Sequence, residues 1–297
     1  MVDLFLQYIQ YEKKLSAYTI TAYRIDLNQF VQFISDEAGV FDPSQITSLQ
    51  IRQWIVFLLK NGQSPRSVNR KVTALKSFFL FLNHKQLIAA NPTKKIVALK
   101  TKKNLPLYFT EKEINFVSNQ LLENNFNEAR DKLIVEMLYQ TGMRRSELIG
   151  MKDVDIDFSR NTIRVLGKRN KERFIPFGRA LANEMKTYIE IRNQSIESSA
   201  ERFFTLKDGS PLYPKLVYNV VCRAFDGVST LSKRSPHVLR HSFATILLDK
   251  GAELNAVKEL LGHSNLSATE IYTHTTFDQI QSIYKQAHPR AQKRREP

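Results

Sequence analysis

Apolar residues over positions 1–90 recur at three- and four-residue steps rather than alternating, the spacing of helices that each bury one face. Leu4, Phe5, Tyr8, Ile9 and Tyr11 form one stripe, and Ile20, Tyr23, Leu27, Phe30, Val31 and Ile34 form a second that begins after Ser16. A third helix carries Ile51, Trp54, Ile55, Leu58 and Leu59. A fourth starts at Ser64-Pro65, a cap residue followed by proline in the first turn, and runs through Val68, Val72, Leu75, Phe79 and Leu82. Four amphipathic helices predict a small bundle. The stretch 91–106 that follows is polar, basic and punctuated by Pro92 and Pro106, and reads as an interdomain linker whose charge suits a polyanion.

From 107 onward the pattern is mixed. Glu128 to Gln140 reads as a helix through Leu133, Ile134, Met137 and Leu138, stopped by Thr141-Gly142. Short strands are expected at Val154 to Phe158, Thr162 to Leu166 and Arg173 to Pro176, with turns at Ser159 to Asn161 and Gly167 to Asn170. From Phe177 the helical pattern returns. The expected fold class is mainly α with a small antiparallel β-sheet: a four-helix N-terminal domain over 1–90 and a mixed α/β C-terminal domain over 107–297.

Charge narrows the partner. Lysine and arginine outnumber acidic residues 44 to 29, a net charge of +15, which favours an extended polyanion such as DNA. On the fourth helix Arg66, Arg70 and Lys71 lie close together on the polar side with Lys76 further along. They read either as solvated surface charge or as contacts to phosphates or the major groove. The first residues lack the basic start of a secretory signal, and no apolar stretch reaches the ~18–20 residues that span a bilayer, so a cytoplasmic, nucleoid-associated location without membrane contact is expected. Cys222 is the only cysteine and reads as a small buried hydrophobe; no disulfide or thiolate metal cluster can form within the chain.

Three segments carry polar residues that packing alone does not require. In Thr141-Gly142-Met143-Arg144-Arg145-Ser146-Glu147, a turn presents Arg144 at a helix start where Glu147 can hold it, or the two form an ordinary surface ion pair. In Pro236-His237-Val238-Leu239-Arg240-His241, His237 and Arg240 share a helical face. His237 and His241 have the spacing of a helical zinc pair, but the glutamate of the zinc-protease motif and an obvious third ligand are missing, so no metal is expected. The third segment holds Gly262-His263-Ser264 and then Ile271-Tyr272-Thr273.

Together these residues suit metal-free transesterification of a phosphodiester. The transition state is more negative than the substrate, so fixed guanidinium groups must surround its non-bridging oxygens, a role for Arg144 and Arg240. His237 and His263 can donate to the same oxygens or handle the nucleophile's proton. Lys168, in the turn Gly167 to Lys171, can protonate the leaving 5′ oxygen, with Lys171 a nearby competitor. Tyr272 is the nucleophile. Its phenol has an ordinary pKa near ~10 and needs activation by surrounding cations. The phosphotyrosine ester preserves the energy of the broken bond, so no ATP, no phosphate-cradling loop and no cofactor is called for.

In order and spacing, Arg144, Lys168, His237 with Arg240, His263 and Tyr272 resemble the tyrosine recombinase family. The strings Gly167 to Arg173, Ser235 to His241 and Leu261 to Ser264 look like those of bacterial Xer recombinases, although Arg145 stands where an aliphatic residue is common and Arg169 where glycine is. The resemblance favours Lys168 over Lys171. It implies a core-binding domain and a catalytic domain closing on duplex DNA as a C-shaped clamp. It also implies a 3′-phosphotyrosine intermediate, four protomers on paired half-sites, exchange through a Holliday junction, and a C-terminal helix around Phe277 to Lys285 docked on a neighbouring protomer. Ile280, Ile283 and Tyr284 offer an apolar face for that contact or for packing onto their own domain. A sister recombinase and a DNA translocase are possible partners in chromosome or plasmid dimer resolution. An integrase of a phage or mobile element, and a non-catalytic DNA-binding module, are the competing readings.

Overall fold

The computed structural model describes residues 1–101, 107–167, 172–196, 201–262 and 274–291. They divide into two compact units, Met1–Asn104 and Leu105–Pro297.

The first unit is built from α1 (Val2–Tyr11), α2 (Ala17–Ala38), α3 (Ser48–Lys60) and α4 (Pro65–His84). Local chemistry sets their starts. Ser16 and Ser64 accept the backbone N–H groups of Thr19 and Ser67, and Thr47 exchanges hydrogen bonds with Gln50. Phe5, Phe30, Trp54, Phe78 and Phe79 fill the centre, with Phe30 edge-on to Trp54 at 5.0 Å between ring centroids. Leu4 and Tyr11, expected on the first apolar stripe, are exposed, and Leu6 takes the inward position.

Two expectations change here. Lys71 is not on the polar face of α4: it is buried, and its Nζ donates to Asp26 Oδ1 at 3.1 Å and to Gln29 Oε1 at 2.5 Å. Asp26, on α2, is buried and also takes both terminal nitrogens of Arg70, so one desolvated carboxylate holds two cations. Lys76 Nζ donates to the carbonyl of Ile96 at 2.7 Å; among the four cations of this helix, only Arg66 is exposed without a described partner. The second change concerns the expected linker. Thr93 and Ile96 are buried, and Asn69 clasps Leu99 through both backbone groups, at 2.9 and 2.8 Å. This stretch therefore folds onto the first unit as far as it is described.

The second unit centres on α6 (Phe126–Thr141), in which every residue from Leu133 to Thr141 is buried. A helix covered all round needs partners on each side. These are α8 (Arg179–Ser195), α9 (Pro214–Ala224) and α10 (Pro236–Asp249). α5 (Glu111–Gln120), α7 (Arg145–Gly150), α11 (Leu254–Leu261) and α12 (His274–Ala287) complete the helices. The sheet is antiparallel in the order β1 (Ile156–Asp157), β2 (Thr162–Leu166), β3 (Glu172–Pro176), with Val165 opposite Arg173. The strand expected from Val154 is shortened because the Asp155 carboxylate accepts the Lys152 N–H at 3.0 Å and winds 153–155 into a single 3-10 turn. Cys222 is half-buried, its thiol donating to the Arg234 carbonyl at 3.0 Å.

Gly142 ends α6 with φ +59°, and a Cβ there would intrude on the Phe243 ring of α10. Ile283 and Tyr284 of α12 pack against Phe243, Leu247 and Leu260 of their own unit, and Tyr284 Oη donates to the Gln140 carbonyl at 3.1 Å. Arg290, just beyond, pairs with buried Glu136 of α6.

Two substitutions test this packing. Asp26→Asn strands the buried Lys71 charge and should destabilise the first unit by roughly 3 kcal/mol; urea unfolding followed by Trp54 fluorescence reads it, and an unmoved midpoint would contradict the pairing. Gly142→Ala combines a left-handed backbone with overpacking and should cost the second unit about 2 kcal/mol or more, read as an earlier thermal transition by circular dichroism.

Candidate active site

The site is assembled at the C-terminal end of α11. Helix ends leave carbonyls without intrahelical partners and carry partial negative charge. Here the last carbonyls are taken by guanidinium groups from three different elements. Arg173 Nε donates to Leu260 at 2.9 Å, Arg240 Nη2 to Leu261 at 2.5 Å, and Arg144 Nη2 to Gly262 at 2.9 Å. Gly262 holds the left-handed cap, φ +64°, and a Cβ on it would press within 3.2 Å of the Arg173 side chain.

Each arginine is placed by its own local structure. The tight turn after α6 brings Arg144 to the start of α7, where the Glu147 carboxylate accepts the Arg144 backbone N–H at 2.6 Å and its Nη1 at 2.8 Å. Pro236 in the first turn of α10 sets His237 and Arg240 on one face. Arg240 Nη1 also donates to the carbonyl of Gly142 at 2.5 Å, so both left-handed glycines supply acceptors to this side chain or its neighbour. Arg173 is the first inward residue of β3; it makes a two-pronged bond to Glu147, Nη1 to Oε1 at 2.7 Å and Nη2 to Oε2 at 2.9 Å.

The electrostatics follow from this crowding. Burial, and then the neighbouring Arg144 charge, push the Arg240 guanidinium down to about 9, still cationic at neutral pH. Burial alone would raise the Glu147 carboxyl, but bonds and charge from Arg173, with further bonds from Arg144, hold it below the ordinary carboxylate range. Burial lowers His237, helped by His241, Arg240 and Lys233. Its ring lies 5.8 Å from that of His241, and among the described residues no group of three or more His, Cys, Asp or Glu is arranged to hold a metal ion. The arrangement is a partly dehydrated cluster of cations, whose charge and donors suit a tetrahedral anion. Arg144 is its solvent-facing member, with a side chain 36% exposed, whereas the Arg173 side chain is 4% exposed.

Of the residues singled out from sequence, Arg144, Glu147 and Arg240 meet in one cluster, with His237 one helical turn from Arg240. Lys168, its competitor Lys171, His263 and Tyr272 lie outside the described residues. Arg173 was missed as a member of the site. The signal was available: it shares a strand face with fully buried Ile175, and an arginine on the inward side of a strand requires an acidic partner.

Comparison with known proteins identifies the family. The Phage integrase family matches residues 107–279, and the phage integrase N-terminal SAM-like domain matches residues 2–86. The chain is 34% identical to the tyrosine recombinase XerC of Chlorobaculum tepidum, over 97% of this chain and 94% of that protein. It is 37% identical to XerC of Pediococcus pentosaceus, over 98% of each. Two solved structures share the fold. The Tn1549 transposon integrase in complex with circular intermediate DNA superposes with a TM-score of 0.70 at 20% identity, covering 94% of this chain and 97% of that one. The XerH site-specific recombinase bound to its palindromic difH substrate, a post-cleavage complex, gives 0.69 at 22% identity, covering 96% and 84%. Among the described residues no helix is long and apolar enough to cross a membrane. With both of its parts matched and XerC relatives alike along nearly its whole length, the chain belongs to the phage integrase family, the tyrosine recombinases, and within it to the Xer type of DNA strand-exchange enzyme.

Proposed function

We propose that the chain cuts and rejoins double-stranded DNA at paired half-sites through an ester between the Tyr272 oxygen and a 3′ phosphate. The Tyr272 oxygen bonds to phosphorus as the bond to the 5′ oxygen breaks; Lys168 gives that oxygen its proton, and the reverse sequence reseals a strand. Arg144 and Arg240 bind the non-bridging oxygens. His237 and His263 donate to the same oxygens or accept the phenol proton. Glu147 positions Arg144.

The observation that carries this reading is the pair Arg144 and Arg240, held by carbonyls and a carboxylate so close together that burial and then the Arg144 charge lower the Arg240 guanidinium. Two cations kept together at a cost in repulsion are stabilised when an anion arrives between them, and more so as that anion gains charge in the transition state. In the first unit, Arg66 and the half-exposed Arg70 are the cations of α4 available to phosphates; Lys71 and Lys76 serve the fold.

The assembly we propose is four protomers, of this chain alone or with a sister recombinase, exchanging strands through a Holliday junction in the cytoplasm. Dimer resolution of chromosomes or plasmids, with a DNA translocase as activator, is the role we propose for it, and the likeness to relatives named tyrosine recombinase XerC supports its recombinase part. A single preferred locus in a genome-wide map of bound sites would support that role; binding at element ends would turn it towards integration.

The chemistry is tested on a duplex nicked beside the cleavage site, which traps the covalent complex. An adduct should form in EDTA and vanish in Tyr272→Phe; an adduct that survives the substitution would refute the nucleophile. Arg144→Ala and Arg240→Ala should still bind DNA but each lose about 3 kcal/mol or more of transition-state stabilisation, and full activity in either would remove that arginine from the site. Affinity should fall steeply with salt, as a chain of net charge +15 releases counterions from many phosphates.

A further inference from the structure

Glu147 poses a difficulty for the proposed chemistry. Its carboxylate is buried beside Arg144, the arginine assigned to the phosphate, and an unshared charge there would cancel the attraction that Arg144 exerts on DNA. The bonding around it shows how this is avoided. Glu147 accepts four hydrogen bonds, two from Arg144 and two from Arg173. The Arg173 fork spans both carboxylate oxygens, whereas the Arg144 guanidinium reaches only Oε1. Arg173 spends its remaining described contact on the Leu260 carbonyl and is almost wholly enclosed. Its charge is therefore turned entirely inward.

We infer that Arg173 is a positioning residue of the strand-exchange site, the dedicated counter-ion of Glu147, which lets that carboxylate orient Arg144 without neutralising it. With Arg173 in place, three guanidinium groups face one carboxylate, and a net charge of two remains for the phosphate. Without it, Arg144 and Glu147 form a closed pair, and the net charge falls to one. A buried ion pair of this kind adds little net stability over an apolar replacement, so stability alone gives weak reason for it. Placement gives a stronger one. Arg173 is the second residue of β3, opposite Val165 and just after the turn that carries Lys168 in sequence, and it is bonded both to α7 through Glu147 and to the end of α11 through Leu260. It therefore ties the stalk of that hairpin to the two elements that hold Arg144.

This inference rests on the proposed function, and the experiment separates the two. Adduct formation on the nicked duplex is timed for the unmodified chain, Arg173→Gln, Glu147→Gln and the double variant, with DNA affinity measured by anisotropy. Arg173→Gln should slow cleavage at least about 30-fold while affinity changes less than about threefold, because the loss falls on the transition state. Removing the carboxylate as well should restore the rate to within about threefold of Glu147→Gln alone, since the counter-ion then has nothing to neutralise. A merely structural Arg173 gives no such rescue. Unimpaired cleavage by Arg173→Gln, or a double variant about tenfold slower than Glu147→Gln, would overturn the inference. The second comparison stands even where Arg173→Gln alone fails to fold. No adduct from the unmodified chain would sink the functional reading, and this inference with it.

Discussion

The C-terminal end of one short helix organises this site. α11 finishes in a left-handed glycine, and its last carbonyls cannot bond within the helix, so they must find donors elsewhere. Arginines from α7, β3 and α10 provide them, residues 118, 87 and 21 positions away in sequence. This single constraint draws the cations together and fixes their orientation. It also anchors them to residues 260–262, which in sequence immediately precede His263 and the segment that carries Tyr272. The helix end tolerates the crowding because cations are favoured at a C-terminus.

From that constraint the electrostatic design follows. Guanidinium groups held within reach of one another repel, and Arg240 is lowered first by its burial and then by that repulsion. Glu147 relieves part of it, and the Arg173 fork keeps the relief from going too far. The balance leaves a receptor with unmet demand for negative charge, which is what a pentacovalent phosphorane supplies. Rigid positioning by backbone carbonyls matters as much as charge, because a receptor already in place needs no reorganisation as the reaction proceeds.

Much of this was legible in the residue pattern, for physical reasons that differ by element. Helices with one apolar stripe and a cap residue, such as α3 and α4, declare themselves locally. So did the meeting of Arg144 with Glu147, three positions apart on one helix start, and of His237 with Arg240. Long-range pairings were not legible. Lys71 reads as a cation of the polar face, solvated or turned to DNA, because its partner, Asp26, lies on another helix 45 positions earlier. Arg173 looked like the edge of a strand because its role depends on Glu147 and Leu260, neither of them near in sequence. The stretch after Asn91 read as a linker from its composition, yet Ile96 and Leu99 are anchored to α4 by hydrogen bonds no pattern reveals.

Arg144 and Arg240 are proposed to act by meeting the charge on the scissile phosphate. Replacing one non-bridging oxygen of that phosphate with a methyl group removes the charge and leaves the connectivity intact. Cleavage rates of the unmodified chain and of Arg144→Ala should then be compared on the charged and neutral substrates. The variant's defect should largely disappear on the neutral phosphonate; an equal defect on both substrates would show that Arg144 serves some other purpose.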